Sequence, residues 1–103
     1  MDGTREISCI IPFWNEGSNL ISVLTEITKA KNISEIICVD DGSDDCNHVK
    51  VKNKFPAINL VRLQSNRGKT DAVREGLKHA KGEFILLLDA DLKNLDHREI
   101  DLA

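Results

Sequence analysis

Two carboxylates two positions apart, Asp89 and Asp91, directly follow the apolar run Phe84-Ile85-Leu86-Leu87-Leu88. Carboxylate oxygens are hard donors suited to Mg²⁺ or Mn²⁺, and Mg²⁺ usually takes one or two of them together with substrate phosphates. A diphosphate ligand fits such a pair. A D-x-D triplet occurs in many acidic turns, and its place at the end of a strand-like run gives this one its weight. Three more polar groups follow apolar runs: Pro12-Phe13-Trp14-Asn15-Glu16, Asp40-Asp41-Gly42-Ser43 and Gln64-Ser65-Asn66-Arg67-Gly68-Lys69. Asp40 and Asp41 can accept hydrogen bonds from a base or ribose, Arg67 and Lys69 can balance phosphate charge, and Glu16 can reach a nucleoside.

The elements that must position these groups read as alternating strand and helix. Short runs rich in Ile, Val and Leu at 7–11 (closed by Pro12), 36–39, 58–63 and 84–88 predict four strands covered on both faces, as parallel sheets require. Leu20, Val23, Leu24 and Ile27 form one helical stripe, and Ala72, Val73, Gly76, Leu77 and Ala80 form another. The second of these helices is expected to stop at Gly82 in the left-handed conformation, with Lys81 complementing the helix dipole. A weaker helix between them is expected to start from Ser43 as a cap, with Asp44 and Asp45 in its first turn and Val49 toward the sheet. The order β-α-β-α-β-α-β with right-handed crossovers predicts an α/β fold, a Rossmann-like open parallel sheet of order 3-2-1-4. Ligands bind such sheets beyond the carboxyl ends of the strands. The polar groups above all fall there, whereas the opposite junctions, such as Lys31-Asn32-Ile33-Ser34, offer nothing comparable. Asp, Asn, Ser and Gly also serve as ordinary caps and turn residues. Trp14, Arg67 and Lys69 are not needed for that.

Length and composition set the outer limits. A chain of 103 residues, 41% hydrophobic and 30% charged, fits one soluble globular domain. Its longest apolar runs are far short of the roughly 20 residues that span a bilayer, and the first residues lack the apolar stretch of a secretory signal. The expected location is cytoplasmic, with the cytosolic face of a membrane, reached through a missing region, as the alternative. The net charge of −3 lies entirely in residues 89–103, where five acids face two bases. With no basic run, a nucleic-acid partner is not expected. Cys9, Cys38 and Cys46 lack paired C-x-x-C spacing and read as buried, reduced, structural thiols. His48, His79 and His97 read as surface residues.

Taken together, residues 10–16, 39–43, 66–72 and 82–91 resemble the family 2 glycosyltransferases of GT-A fold. The resemblance implies a nucleotide-diphosphate sugar donor, a divalent metal (Mg²⁺ or Mn²⁺) and inverting transfer of the sugar to an acceptor. By position it puts Pro12, Asn15 and Glu16 at the nucleoside pocket, and Asp40 or Asp41 on the base. Arg67 and Lys69 fall near the base or diphosphate, Asp89 on the ribose or metal, and Asp91 on the metal. The segment 89–95 is similar to members that use phosphoglycerate or polyprenyl-phosphate acceptors. Trp14 stands where Tyr or His is commoner, and still offers a flat ring at the pocket rim. Family members continue into an acceptor-binding half that supplies the general base, so residues 1–103 are expected to form the donor-binding domain alone, incomplete for catalysis.

Two other classes compete with the enzyme reading. One is a noncatalytic nucleotide-binding or assembly module on the same fold. The other is a phosphoacceptor receiver domain, suggested by Asp40-Asp41, although its acidic pair would follow the first strand. The expected sheet order leaves the apolar run 84–88 at an edge, and an exposed apolar edge invites pairing. Self-association through that strand or the tail 92–103 is therefore expected.

Overall fold

The computed structural model describes residues 6–92 together with Leu95, Asp96 and Arg98. Seven elements alternate along the chain: β1 (Ile7–Phe13), α1 (Gly17–Ile27), β2 (Glu35–Asp40), α2 (Asn47–Lys54), β3 (Asn59–Arg62), α3 (Lys69–His79) and β4 (Phe84–Leu87). All strand pairs are parallel, and the order is β3-β2-β1-β4, as the sequence implies. One core lies on the face where Cys9, Ile11 and Cys38 meet Leu20, Val23, Leu24 and Ile27 of α1 and Val51 of α2. On the other face Ile10, Ile37 and Val39 pack under Ala72 of α3. Helices thus flank the sheet on both sides.

Several local features differ from the sequence reading. Strand β1 runs through Pro12 to Phe13 instead of closing before it. Its carbonyls alternate sides: Ile10 accepts from Leu88 N–H at 3.1 Å, whereas Phe13 accepts from Asp41 N–H at 2.8 Å. Pro12, two residues from Ile10, faces the β4 side just where that pairing ends, so its missing N–H interrupts no further ladder. Only β1 and β2 are well covered on both faces. β3 and β4 are edges, and Phe84 (47%), Ile85 (39%) and Leu87 (53%) stay exposed because α3 lies across β1 and β2.

Helix α2 begins at Asn47, four residues beyond Ser43, and this shift turns Val51 into the core and leaves Val49 exposed. Cys46 precedes it at φ 61°, solvent-exposed, so the thiol reading holds for Cys9 and Cys38 alone. Helix α3 ends at His79, with Ala80 already extended, so Gly82 does not cap it. Gly82 is instead a point of close approach, since a Cβ there would sit 2.7 Å from Ser8 Oγ. Gly76 likewise lets α3 settle on the sheet, because a Cβ would lie 2.7 Å from Ile10 Cγ2 and 3.1 Å from Val39 Cγ2.

At the amino-terminal edge of the sheet Ser8, fully buried, donates to Glu35 Oε2 at 2.5 Å and accepts from Gly82 N–H at 2.8 Å. Lys81 N–H donates to the same carboxylate at 2.6 Å. These bonds, the Ser8 hydroxyl foremost, hold the Glu35 carboxyl below its ordinary 4.5 against the opposing pull of burial. A carboxyl depressed in the folded state contributes stability that is full above its unfolded value and is lost as pH falls through the folded one. Urea unfolding of wild type and Glu35→Gln is therefore expected to show the larger loss on going from pH 7 to pH 3.5 in wild type. Equal losses would remove Glu35 from the acid response.

Burial pushes the Cys9 thiol up to about 12 and raises Cys38 as well, with Cys9 beside it adding to the effect. Thiolate is the reactive form. A thiol-specific disulfide reagent at pH 8 is expected to find one fast thiol in the folded chain and three in denaturant. Cys46→Ser should abolish the fast one.

Candidate functional site

The loops after the strands close around a cleft of about 350 Å³ at the carboxyl end of the sheet. Its walls come from the end of β1 (Pro12, Phe13, Trp14), from Asp41 after β2, from the start of α3 (Gly68, Lys69, Ala72) and from Asp89-Ala90-Asp91 after β4. β1 and β4 are neighbours, yet α1, which leaves β1, packs on one face of the sheet and α3, which leads into β4, packs on the other, so the strand order reverses there, as at the switch points where open α/β sheets leave a crevice.

Asp41 builds the middle of this site. Its backbone N–H extends the β2 pairing onto Phe13. Its carboxylate, 5% exposed, accepts from Arg67 N–H at 2.8 Å and from Gly68 N–H at 2.9 Å. The loop that leads into α3 is thereby pinned to the end of β2. Gly42 follows at φ 77°, and a Cβ on it would lie 2.5 Å from Ser65 C and 2.6 Å from Asn66 N. Both the left-handed backbone and the close approach demand glycine there.

Asp40 faces away from the cleft. Fully buried, it accepts from Ser43 N–H at 2.8 Å and pairs with Arg62 Nε at 3.3 Å. Arg62 also donates to Ser43 O at 2.8 Å. His48 Nδ1 lies 3.7 Å from Asp40 Oδ2, buried and without a hydrogen-bond partner, with its side chain only 19% exposed. The surface reading of His48 is corrected on this point. His79 is exposed, and His97 lies outside the described residues. Arg62 escaped the sequence reading, although it had a signal: it is the only base in the run 58–63, and parallel register sets it beside Asp40.

The other expected site residues divide in the same way. Pro12, Glu16, Asp41, Lys69, Asp89 and Asp91 line the cleft, whereas Asn15, Asp40 and Arg67 do not. Asn15, at φ 52°, joins two loops instead: its N–H donates to Ser43 Oγ at 2.8 Å and its Oδ1 accepts from Asp44 N–H at 3.1 Å. Arg67 is exposed and contributes its backbone N–H to Asp41. Glu16 accepts from Asn19 Nδ2 at 2.8 Å. Lys69 forms an ion pair with Asp89 across the cleft. Trp14 stands 49% exposed at the rim. Asn66, Gly68, Ala72 and Ala90 also line the cleft; small residues carry little chemistry in a sequence, and only the fold shows that they make room.

No cluster of three His, Cys, Asp or Glu ligands occurs among the described residues. Asp89 and Asp91, both exposed and both in the cleft lining, supply two hard oxygen donors. This set suits Mg²⁺ or Mn²⁺ completed by phosphate and water, and does not suit an all-protein cage.

A family model described as "Glycosyl transferase family 2" matches residues 8–98, and the chain belongs to that family. It is 33% identical over 117 residues to a dodecaprenyl-phosphate galacturonate synthase of Rhizobium johnstonii, covering 94% of this chain and 34% of that protein. It is 36% identical over 99 residues to a dolichyl-phosphate beta-glucosyltransferase of Dictyostelium discoideum, covering 82% and 30%. Among solved structures it resembles the mannosyltransferase PcManGT of Pyrobaculum calidifontis in complex with GDP-Man and Mn²⁺. The TM-score is 0.79 at 28% identity, covering 87% of this chain and 28% of that one. The chain thus spans about a third of the length of the curated relatives it matches.

Asp41→Ala removes two charge-assisted acceptors and leaves two backbone N–H groups unpaired, an expected loss of about 2–4 kcal/mol in urea unfolding. Glu16→Ala, on the same cleft but bonded only to a neighbouring side chain, is expected to change stability by less than about 0.5 kcal/mol.

Proposed function

We propose that this chain binds the nucleotide-diphosphate sugar donor of an inverting glycosyltransferase, with Mg²⁺ or Mn²⁺ held by Asp89 and Asp91. The observation that carries the reading is the charge of the cleft. Glu16, Asp41, Asp89 and Asp91 face a single ammonium, that of Lys69. A diphosphate entering so acidic a site is repelled unless a cation accompanies it, and two carboxylates plus phosphate oxygens are the usual surroundings of a small divalent ion. When bound, the ion would offset the charge that develops on the departing diphosphate.

The remaining roles follow from position. Pro12 and Trp14 offer apolar surface and a flat ring to the nucleoside, Asp41 presents the inner wall toward the base, and Lys69 balances the diphosphate. Asn15, Asp40 and Arg67 serve by holding the loops in place. Attack by an acceptor oxygen on the anomeric carbon forms one C–O bond as the bond to the diphosphate breaks, with the nucleoside diphosphate leaving from the opposite side. The names of the Rhizobium and Dictyostelium relatives support a polyprenyl phosphate as acceptor. A phosphate monoester is largely ionised near neutral pH, so its oxygen does not depend on a general base as an acceptor hydroxyl does. The acceptor-binding region belongs, in this reading, to sequence comparable to the additional length of the relatives.

Calorimetric titration of UDP- and GDP-sugars into the 103-residue chain tests the proposal. Saturable binding is expected in Mn²⁺, weakened about tenfold or more by EDTA or by Asp91→Asn, the loss of one charge-assisted contact. Absence of binding for both nucleotide classes, or binding indifferent to metal, would sink it.

A further inference from the structure

We infer that Lys69 holds the place of a metal ion on Asp89, and that its release from Asp89 ties metal binding to diphosphate binding. The inference rests on the donor-binding reading above. Lys69 is the first residue of α3, and its ammonium reaches the carboxylate of Asp89 beyond the end of β4. It is the only ammonium in the cleft lining. Of the four carboxylates there, Asp41 is occupied by the Arg67 and Gly68 N–H groups and Glu16 by Asn19. Asp89 is occupied by Lys69, and Asp91 has no ion pair among the described residues.

One ammonium therefore has two claims on it, the carboxylate of Asp89 and the oxygens of a bound diphosphate. It cannot neutralise both. While no other cation is near, Asp89 keeps it. Once Asp89 and Asp91 ligate a divalent ion, Lys69 loses its partner, meets a like charge, and turns its ammonium to the diphosphate. The exchange is feasible because both partners are more than half exposed, at 66% and 52%, and an exposed ion pair is weak. The flexible four-carbon stem of lysine permits the swing. Metal and nucleotide diphosphate would then raise each other's affinity by the same factor, as linkage requires.

A lysine that served only the phosphates would leave metal binding untouched, and this separates the two roles. Mn²⁺ alone is titrated into wild type and Lys69→Met, with the free ion followed by its electron paramagnetic resonance signal. Lys69→Met is expected to bind Mn²⁺ about three- to tenfold more tightly, because a competitor and a like charge are gone. Its affinity for UDP or GDP in saturating Mn²⁺ is expected to fall about tenfold, and Lys69→Arg to restore both values toward wild type. Equal or weaker Mn²⁺ binding by Lys69→Met overturns the inference and leaves the donor reading standing if wild type binds metal and nucleotide. Failure of wild type to bind Mn²⁺ with either nucleotide overturns both. If Lys69→Met loses its far-ultraviolet circular dichroism, Lys69→Gln replaces it with the same expectations.

Discussion

Asp41, through its backbone N–H and its carboxylate together, is the joint on which the site depends. Three segments distant in sequence meet there: the end of β1 through Phe13 O, the end of β2 through Asp41 itself, and the entry to α3 through the Arg67 and Gly68 N–H groups. Parallel strands cannot join through short turns, so the loops that follow them need cross-links of their own to converge on one place. A nearly buried carboxylate that accepts two backbone N–H groups satisfies its own charge and fixes the α3 entry in one step. Gly42 completes the joint by letting the two loop backbones touch.

Asp40, one residue earlier, works on the reverse side. Strand alternation sends neighbouring side chains to opposite faces. The Asp40-Asp41 pair therefore splits into a cleft-lining carboxylate and a buried one, the latter held by Arg62 and Ser43. The buried charge is compensated within the protein, while the four carboxylates of the cleft lining share one ammonium, that of Lys69. This division gives the site its chemical character, an internally neutralised floor beneath an acidic opening.

Much of this arrangement was legible in the sequence because it follows from short-range rules. Ile10, Ile37, Val39 and the α1 stripe announce a two-sided sheet and a core-facing helix, and right-handed crossovers leave few orders for four strands. What could not be read depends on register and on the third dimension. The sequence of α2 is mostly polar, so whether Val49 or Val51 turns inward depended on a start set by Cys46 in the left-handed region. Asn15, Asp40 and Arg67 are the same residue types as true cleft residues. Only their hydrogen bonds and the cleft lining separate loop support from a place in the cleft wall.

The two walls of the cleft differ in how firmly they are built. Pro12, Phe13 and Asp41 extend from β1 and β2, the strands buried on both faces, whereas Asp89 and Asp91 follow β4, an edge strand of four residues with three exposed apolar side chains. Regions with few buried apolar contacts open locally at lower free energy than the core. The carboxylates assigned to the metal thus sit on the wall with the least packing behind it, and the ion pair with Lys69 ties that wall to α3, which is itself fixed by Asp41. In an exchange of Lys69 for a divalent ion, one cross-link between the walls gives way to another made through the ligand's phosphates. The cleft would then be held together in both states, by the protein's own cation in one and by its cargo in the other.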